Sequence, residues 1–284
     1  MTETRPPLHD FGGHGPALHL AHANGFPPGT YRRLAAALAE DHHIVALPAR
    51  PLWPGSRPSD VADWRPMAGD LVHALDASGL APLIGVGHSL GGVLTLWAAI
   101  DRPDLFHCVI LVDPVFLPPH WLWSVRLMRR LGIENRLPFV QTALRRRRGW
   151  PGLQACFDHL RGKQLFTRWP DAALWDYVNS VTQPEPAGGI SLRYTPEWEA
   201  HIFATVPTAI WKDVPRLSVP ALFIRGEQSN TFLSTAAARV ARLLPAAQHT
   251  EVPGAGHLLP MEKPTEVAAL IRAFIHDTCT IPRQ

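Results

Sequence analysis

The feature that most restricts how this chain can fold is Gly87-His88-Ser89-Leu90-Gly91, followed by Gly92. Residues 82–87 form a short apolar run of strand length, and residues 89–101 read as a helix. A strand that becomes a helix within one residue demands a very sharp turn. The residue at its apex takes strained dihedrals, and its side chain projects above the strand end. Gly87 and Gly91 suit such a turn because the strand and helix backbones approach too closely for a side chain. The helix beginning there directs free N–H groups and its positive end toward any negative charge that develops nearby. A serine at the apex is therefore a candidate nucleophile.

The rest of the chain supplies a matching frame. Short β-type runs at 17–23, 43–47, 106–112 and 220–225 read as strands, and a short strand is read near Thr250. Between and after them, 31–40, 67–78, 235–244 and 264–277 read as helices. This alternation predicts an α/β fold with a mostly parallel, doubly wound sheet. It stops between residues 115 and 217, where helical pieces at 121–131, 152–160 and 171–178 sit in sequence rich in Arg, Pro and Trp. A hundred residues is too long for a structureless loop. We read 1–114 as the first part of the core, 115–217 as an inserted helical cap or lid, and 218–284 as the second part of the core.

Composition rules out several classes. At 284 residues, 46% hydrophobic and 18% charged, the chain can bury a core of ordinary size and is not disordered in composition. Its 29 prolines are scattered, as loop punctuation. Much of the net charge of +3 comes from the run Arg145 to Arg148 with Arg126, Arg129, Arg130 and Arg136 upstream. We read these as a solvated helix face, without a nucleic-acid partner. The apolar runs are strand-length, so no membrane span is expected. Residues 1–15 lack an apolar signal core. Cys108, Cys156 and Cys279 are far apart and show neither metal spacing nor a disulfide framework, which predicts reduced thiols and a cytoplasmic location. No metal-ligand cluster is seen, and no cofactor is expected.

A serine needs a base to accept its proton during attack. His257 lies in Gly254-Ala255-Gly256-His257, between the last strand and the last helix, late in the chain and after the serine. Together with His22-Ala23-Asn24-Gly25-Phe26-Pro27, Val112-Asp113-Pro114, Arg225-Gly226-Glu227 and Pro260-Met261-Glu262, these motifs resemble the α/β-hydrolase fold superfamily of lipases, esterases and epoxide-hydrolase-like enzymes. They span nearly the whole chain outside the insertion, and they specify a fold rather than a substrate.

The resemblance implies Ser89 as nucleophile, His257 as general base, and an oxyanion hole formed by the Leu90 and Phe26 backbone N–H groups. Asn24 stands where relatives usually carry His, and His22 either supplies the missing imidazole or packs; both are carried as substrate-binding candidates. The acid is less plain. Similar sequences place Asp where Asn230 stands, and an amide cannot stabilise an imidazolium. Either Asp113, at the end of the 106–112 strand, is the acid, or Asn230 is a replacement that disables the site. Glu227 is a third, weaker choice. We take Asp113, the carboxylate that is present.

The expected activity is serine hydrolysis of a carboxylic ester, lactone or related acyl bond. Seven of the ten tryptophans fall in the insertion, which suggests an apolar acyl or ring-bearing substrate. Asp-nucleophile dehalogenase and epoxide hydrolase chemistry is disfavoured by Ser89. Carbon–carbon bond hydrolysis or lysis on the same fold, and a non-catalytic binding protein, remain as alternatives. Oligomeric state is not legible.

Overall fold

The computed structural model describes residues 5–279; residues 1–4, the first of the polar N-terminal stretch, and 280–284 lie outside it. In chain order the elements are β1 (His9–Gly12), β2 (Ala17–Ala21), α1 (Arg32–Leu38), β3 (His43–Ala46), α2 (Arg65–Ser78), β4 (Leu83–His88), α3 (Leu90–Asp101) and β5 (Phe106–Val112). The stretch between β5 and the next sheet strand holds α4 (Pro119–Arg130), α5 (Pro138–Leu144), β6 (Gly149–Trp150), α6 (Leu153–Arg161), α7 (Asp171–Val181), β7 (Thr182–Pro184), β8 (Ile190–Leu192) and α8 (Pro196–Ala204). The chain closes with β9 (Ala221–Gly226), α9 (Ser234–Leu243), β10 (Gln248–Val252), α10 (Leu259–Glu262) and α11 (Pro264–Thr278).

Seven strands form one sheet in the order β1-β3-β2-β4-β5-β9-β10. All neighbours run parallel except β1, which pairs antiparallel with β3. This is the α/β-hydrolase fold. All six residues of β4 are buried and six of seven in β5, as expected for central parallel strands covered on both faces. Helix α2 packs on α3, and α1 on α11, to provide that cover. Helix α3 lies deepest: its residues Leu90 to Ala99 are all buried. A strand-to-helix turn between β4 and α3 is therefore held at the centre of the molecule, with little room to relax.

Three departures from the sequence reading stand out. β1 was not expected, because His-Asp-Phe-Gly lacks apolar alternation; it is an edge strand with exposed residues. The stretch between β5 and β9 contains two unpredicted helices, α5 and α8, and a three-stranded antiparallel sheet in the order β6-β8-β7. These strands are two or three residues long, too short for any periodic pattern.

The third concerns the cysteines. Cys108 on β5 and Cys279, just beyond α11, form a disulfide across 171 residues with Cα atoms 6.1 Å apart, while Cys156 is free and buried. The expectation of three reduced thiols is corrected. Their spacing hid the pair, because only the return of α11 against β5 brings the two residues together. Disulfides persist mainly in oxidising compartments, so the argument for a cytoplasmic location is withdrawn. Among the described residues no helix is long and apolar enough to cross a membrane.

Candidate active site

Ser89 sits between β4 and α3 with φ 56° and ψ −115°, one of two non-glycine residues at positive φ among those described. Such strain costs about 1–3 kcal/mol and persists only where the surroundings enforce it. Here they do. A Cβ on Gly91 would collide with the Ala21 carbonyl of β2, and one on Gly87 with the Gly91 carbonyl. Only glycine at both places lets α3 start directly against the sheet.

The other strained residue is Asp113, at φ 44° just past β5. It is wholly buried and faces the loop that carries His257. His257 Nε2 lies 2.9 Å from Ser89 Oγ, and His257 Nδ1 lies 2.7 Å from Asp113 Oδ1. Two further donors satisfy the buried carboxylate: Gly226 N–H donates to Oδ2 at 2.9 Å and Ser229 Oγ donates to Oδ1 at 2.6 Å. A buried carboxylate without such donors would be costly to keep ionised.

The structure thus brings Ser89, His257 and Asp113 into one hydrogen-bonded chain. Asn230 is exposed, bonded through Oδ1 to the Thr231 hydroxyl at 3.3 Å, and makes no hydrogen bond to His257. Glu227 is engaged with the Gly254 N–H at 2.7 Å. In the segment where sequence reasoning sought an acid, the side chain that reaches the site is that of Ser229, beside the Gly226 N–H.

In the 22–26 loop the expectations for Phe26 and Asn24 are corrected, and of the two alternatives open for His22 the packed one is found. The Phe26 N–H donates to the Ala23 carbonyl at 3.2 Å, closing a turn, and is not free for a substrate oxygen. His22 is buried with both ring nitrogens in use: Nδ1–H donates to Ala23 O at 2.8 Å, and Nε2 accepts from Ala49 N–H at 2.9 Å. Burial drives its pKa down to about 4, so the ring is neutral and structural. Asn24 contributes no free side-chain group either. Its Nδ2 donates to the Glu199 carbonyl at 3.1 Å and its Oδ1 accepts from Tyr194 Oη at 2.8 Å. Both partners belong to the stretch between β5 and β9. The Asn24 N–H, by contrast, has no acceptor among the described residues.

Two relays that the sequence gave no reason to single out hold these loops in register. Tyr31 Oη accepts from the Ala23 N–H at 2.9 Å and donates to His88 Nδ1 at 2.7 Å; His88 Nε2–H donates to the His257 carbonyl at 2.9 Å. The serine turn, the 22–26 loop and the histidine loop are therefore tied together through buried groups. Burial is the first cause that holds His88 well below its ordinary pKa, in keeping with a neutral ring that donates at one nitrogen and accepts at the other. Beyond Asn24, Arg146 is ion-paired with Glu199 and donates to Tyr177 Oη at 2.8 Å. Burial alone would lower the Arg146 pKa, but the neighbouring Tyr177 and Glu199 outweigh it and leave the pKa raised.

An aromatic group adjoins the same loop. Phe26 lies 5.2 Å from Tyr177 and 6.0 Å from Trp169, which in turn lies 5.1 Å from Phe166, measured between ring centres. Of the tryptophans between β5 and β9, Trp150, Trp169, Trp198 and Trp211 are buried and Trp175 is half-buried, whereas Trp121 and Trp123 are exposed.

Comparisons with known proteins agree with this fold. The chain is 26% identical over 266 residues to the sn-1-specific diacylglycerol lipase ABHD11 of Mus musculus, covering 92% of this chain and 81% of that protein. It is 27% identical over 270 residues to the pimeloyl-[acyl-carrier protein] methyl ester esterase of Xanthomonas axonopodis pv. citri, covering 93% and 96%. Among solved structures, E-2-(acetamidomethylene)succinate hydrolase superposes with a TM-score of 0.78 at 22% identity, covering 95% of this chain and 94% of that one. Residues 20–270 match the profile of the alpha/beta hydrolase family, a span that runs from the end of β2 into α11 and takes in Ser89, Asp113 and His257 alike. The chain belongs to that family.

Proposed function

We propose that this protein is a serine hydrolase that transfers an acyl group from a carboxylic ester, or a related lactone or thioester, to water. Ser89 Oγ attacks the carbonyl carbon while His257 Nε2 accepts its proton. Asp113 holds the imidazole in the tautomer with hydrogen on Nδ1 and stabilises the imidazolium. His257 then returns the proton to the leaving alcohol, takes one from water, and the acyl–serine bond is cleaved to release the acid and regenerate Ser89.

The Leu90 N–H, at the first turn of α3, and the Asn24 N–H, which lacks an acceptor within the chain, are the donors we assign to the developing oxyanion. Residues 115–217 act as a cap in this reading. The aromatic group of Phe26, Phe166, Trp169 and Tyr177 supports an apolar acyl substrate, as do the ester-cleaving activities named for the mouse and Xanthomonas relatives.

The observation that carries the proposal is the continuous hydrogen-bonded chain from Ser89 through His257 to Asp113. Turnover of p-nitrophenyl butyrate by the unaltered chain, Asp113→Asn and Asn230→Asp tests it. Asp113→Asn is expected to lose on the order of 10⁴ in kcat, as when a triad acid is replaced elsewhere. Asn230→Asp should leave turnover unchanged. An inert parent chain restored by Asn230→Asp would reverse the assignment of the acid.

A further inference from the structure

All large hydrophobic residues that are exposed among those described fall within residues 121–165. Trp123, Leu127 and Leu131 are 64%, 42% and 62% exposed. Their spacing of four residues places Trp123 and Leu127 along one ridge of α4, continued by Leu131 at its C-cap, while the opposite face buries Leu122 and Val125. Arg126 and Arg130 interleave with that ridge.

Charge is concentrated in the same stretch of sequence. Residues 119–148 hold eight arginines and one carboxylate, Glu134, for a net +7, whereas the rest of the chain has 19 basic and 23 acidic side chains, net −4. Arg146 and Arg148 pair with Glu199 and Glu197. Arg126, Arg130, Arg136, Arg145 and Arg147 are exposed and form no ion pair among the described residues, whereas Arg129 is half-buried and donates to the Ala204 and Val206 carbonyls. The reading of these arginines as a merely solvated face does not account for the exposed apolar ridge among them.

We infer that the α4 face is a docking surface for an anionic lipid bilayer, with Trp123, Leu127 and Leu131 entering the interface and the arginines at headgroup level. An amphipathic helix lying flat does this when an apolar ridge is flanked by Arg or Lys, and Trp favours the interfacial zone. Uncompensated arginines near an anionic leaflet each add to the attraction. The same charge argues against a second copy as the occupant, since a two-fold contact sets this basic face against itself.

Co-sedimentation with vesicles of phosphatidylcholine, alone or mixed with phosphatidylglycerol, tests the inference on the full chain. Binding to the mixed vesicles should be at least about tenfold tighter than to the neutral ones and should weaken in high salt. The variant Trp123→Ser/Leu127→Ser/Leu131→Ser should lose at least about tenfold in that binding while hydrolysing a soluble short-chain ester as the parent does. If this triple variant does not fold, Arg126→Glu/Arg130→Glu, both exposed on α4, provides the same readout from the charged side. Absence of binding to phosphatidylglycerol vesicles overturns the inference. So does binding that both variants retain, or a dimer in solution that shields Trp123. Salt-sensitive binding to soluble polyglutamate, with none to vesicles, would assign the face to an acidic protein instead.

Discussion

Ser229 donates its hydroxyl to the same Asp113 oxygen that faces His257 Nδ1, at 2.6 Å against 2.7 Å for the imidazole. The carboxylate is thereby fixed from the β9–α9 loop while it orients a ring carried by the β10–α10 loop. Ser229 Oγ also accepts from the Thr231 and Phe232 N–H groups, each at 3.1 Å, so the loop folds around this hydroxyl. Ser229→Ala should reduce kcat about tenfold with KM little altered, because groups that orient a catalytic side chain typically matter by about one to two orders of magnitude. Steady-state kinetics on a soluble ester checks the split.

Tyr194 provides a second test, from the opposite side of the site. Its hydroxyl holds Asn24 Oδ1, and the Asn24 N–H is one of the two proposed oxyanion donors. Tyr194→Phe keeps the ring and removes only the hydrogen bond. Kcat is expected to fall by about ten- to a hundredfold, less than the loss of a donor outright. Affinity for a neutral product should not change, and a rise in KM with kcat unaltered would count against the coupling.

Position 91 tests the origin of the strained turn. A methyl group at Gly91 meets the backbone carbonyl of Ala21, which cannot move without disturbing β2. Gly91→Ala should therefore displace Ser89 and slow its labelling by a fluorophosphonate by at least about a hundredfold, since small misplacements of a reacting group cost that much. Gly79→Ala, at a helix C-terminus with open space around it, serves as the control for glycine loss alone: it should lower stability without slowing labelling of the folded fraction.

The buried histidines predict a pH dependence of stability. Burial lowers His19 to about 3 and His22 to about 4, and holds His88 well below its ordinary value. Their folded pKa values lie below the unfolded value near 6.5, so the contribution is fully present above pH 6.5. As pH falls toward 4, the unfolded chain takes up protons that the folded chain excludes, and stability declines. Each such histidine contributes up to about 1.4 kcal/mol per pH unit in that window. Urea midpoints at pH 7, 6 and 5 should fall progressively, and a flat series would show that these rings protonate without loss of structure.

The sequence made some of this legible and not the rest, for physical reasons. Strands β2 to β5 and β9 were visible because buried parallel strands are continuous apolar runs, and Ser89 because its turn requires glycines at fixed offsets; β10, Gln-His-Thr-Glu-Val and largely exposed, showed only as a short strand before the glycine-rich histidine loop. Ser89, His257 and Asp113 could be named since each sits in a loop at the carboxyl end of a recognisable strand. The side-chain work of Tyr31, His88, Ser229 and Tyr194 could not, because it depends on which loops meet in space. Helix α8 did carry a signal that was missed: Thr195 caps it, accepting from the Trp198 N–H at 3.3 Å, with Pro196 and Glu197 in its first turn. Asn24 misled for a different reason. A polar residue beside a serine turn looks like a ligand for substrate, yet its amide is consumed in anchoring its own loop.

The bond between Cys108 and Cys279 turns the chain from residue 108 to 279 into a covalent ring, with 107 residues entering it as a tail. All of the stretch between β5 and β9 lies on that ring. A protease that nicks an exposed loop there opens the ring without dividing the molecule. The fragment bearing Ser89 stays fastened to the one bearing His257 until the sulfur bridge is reduced. Damage to that stretch is thus kept from scattering the residues proposed for catalysis.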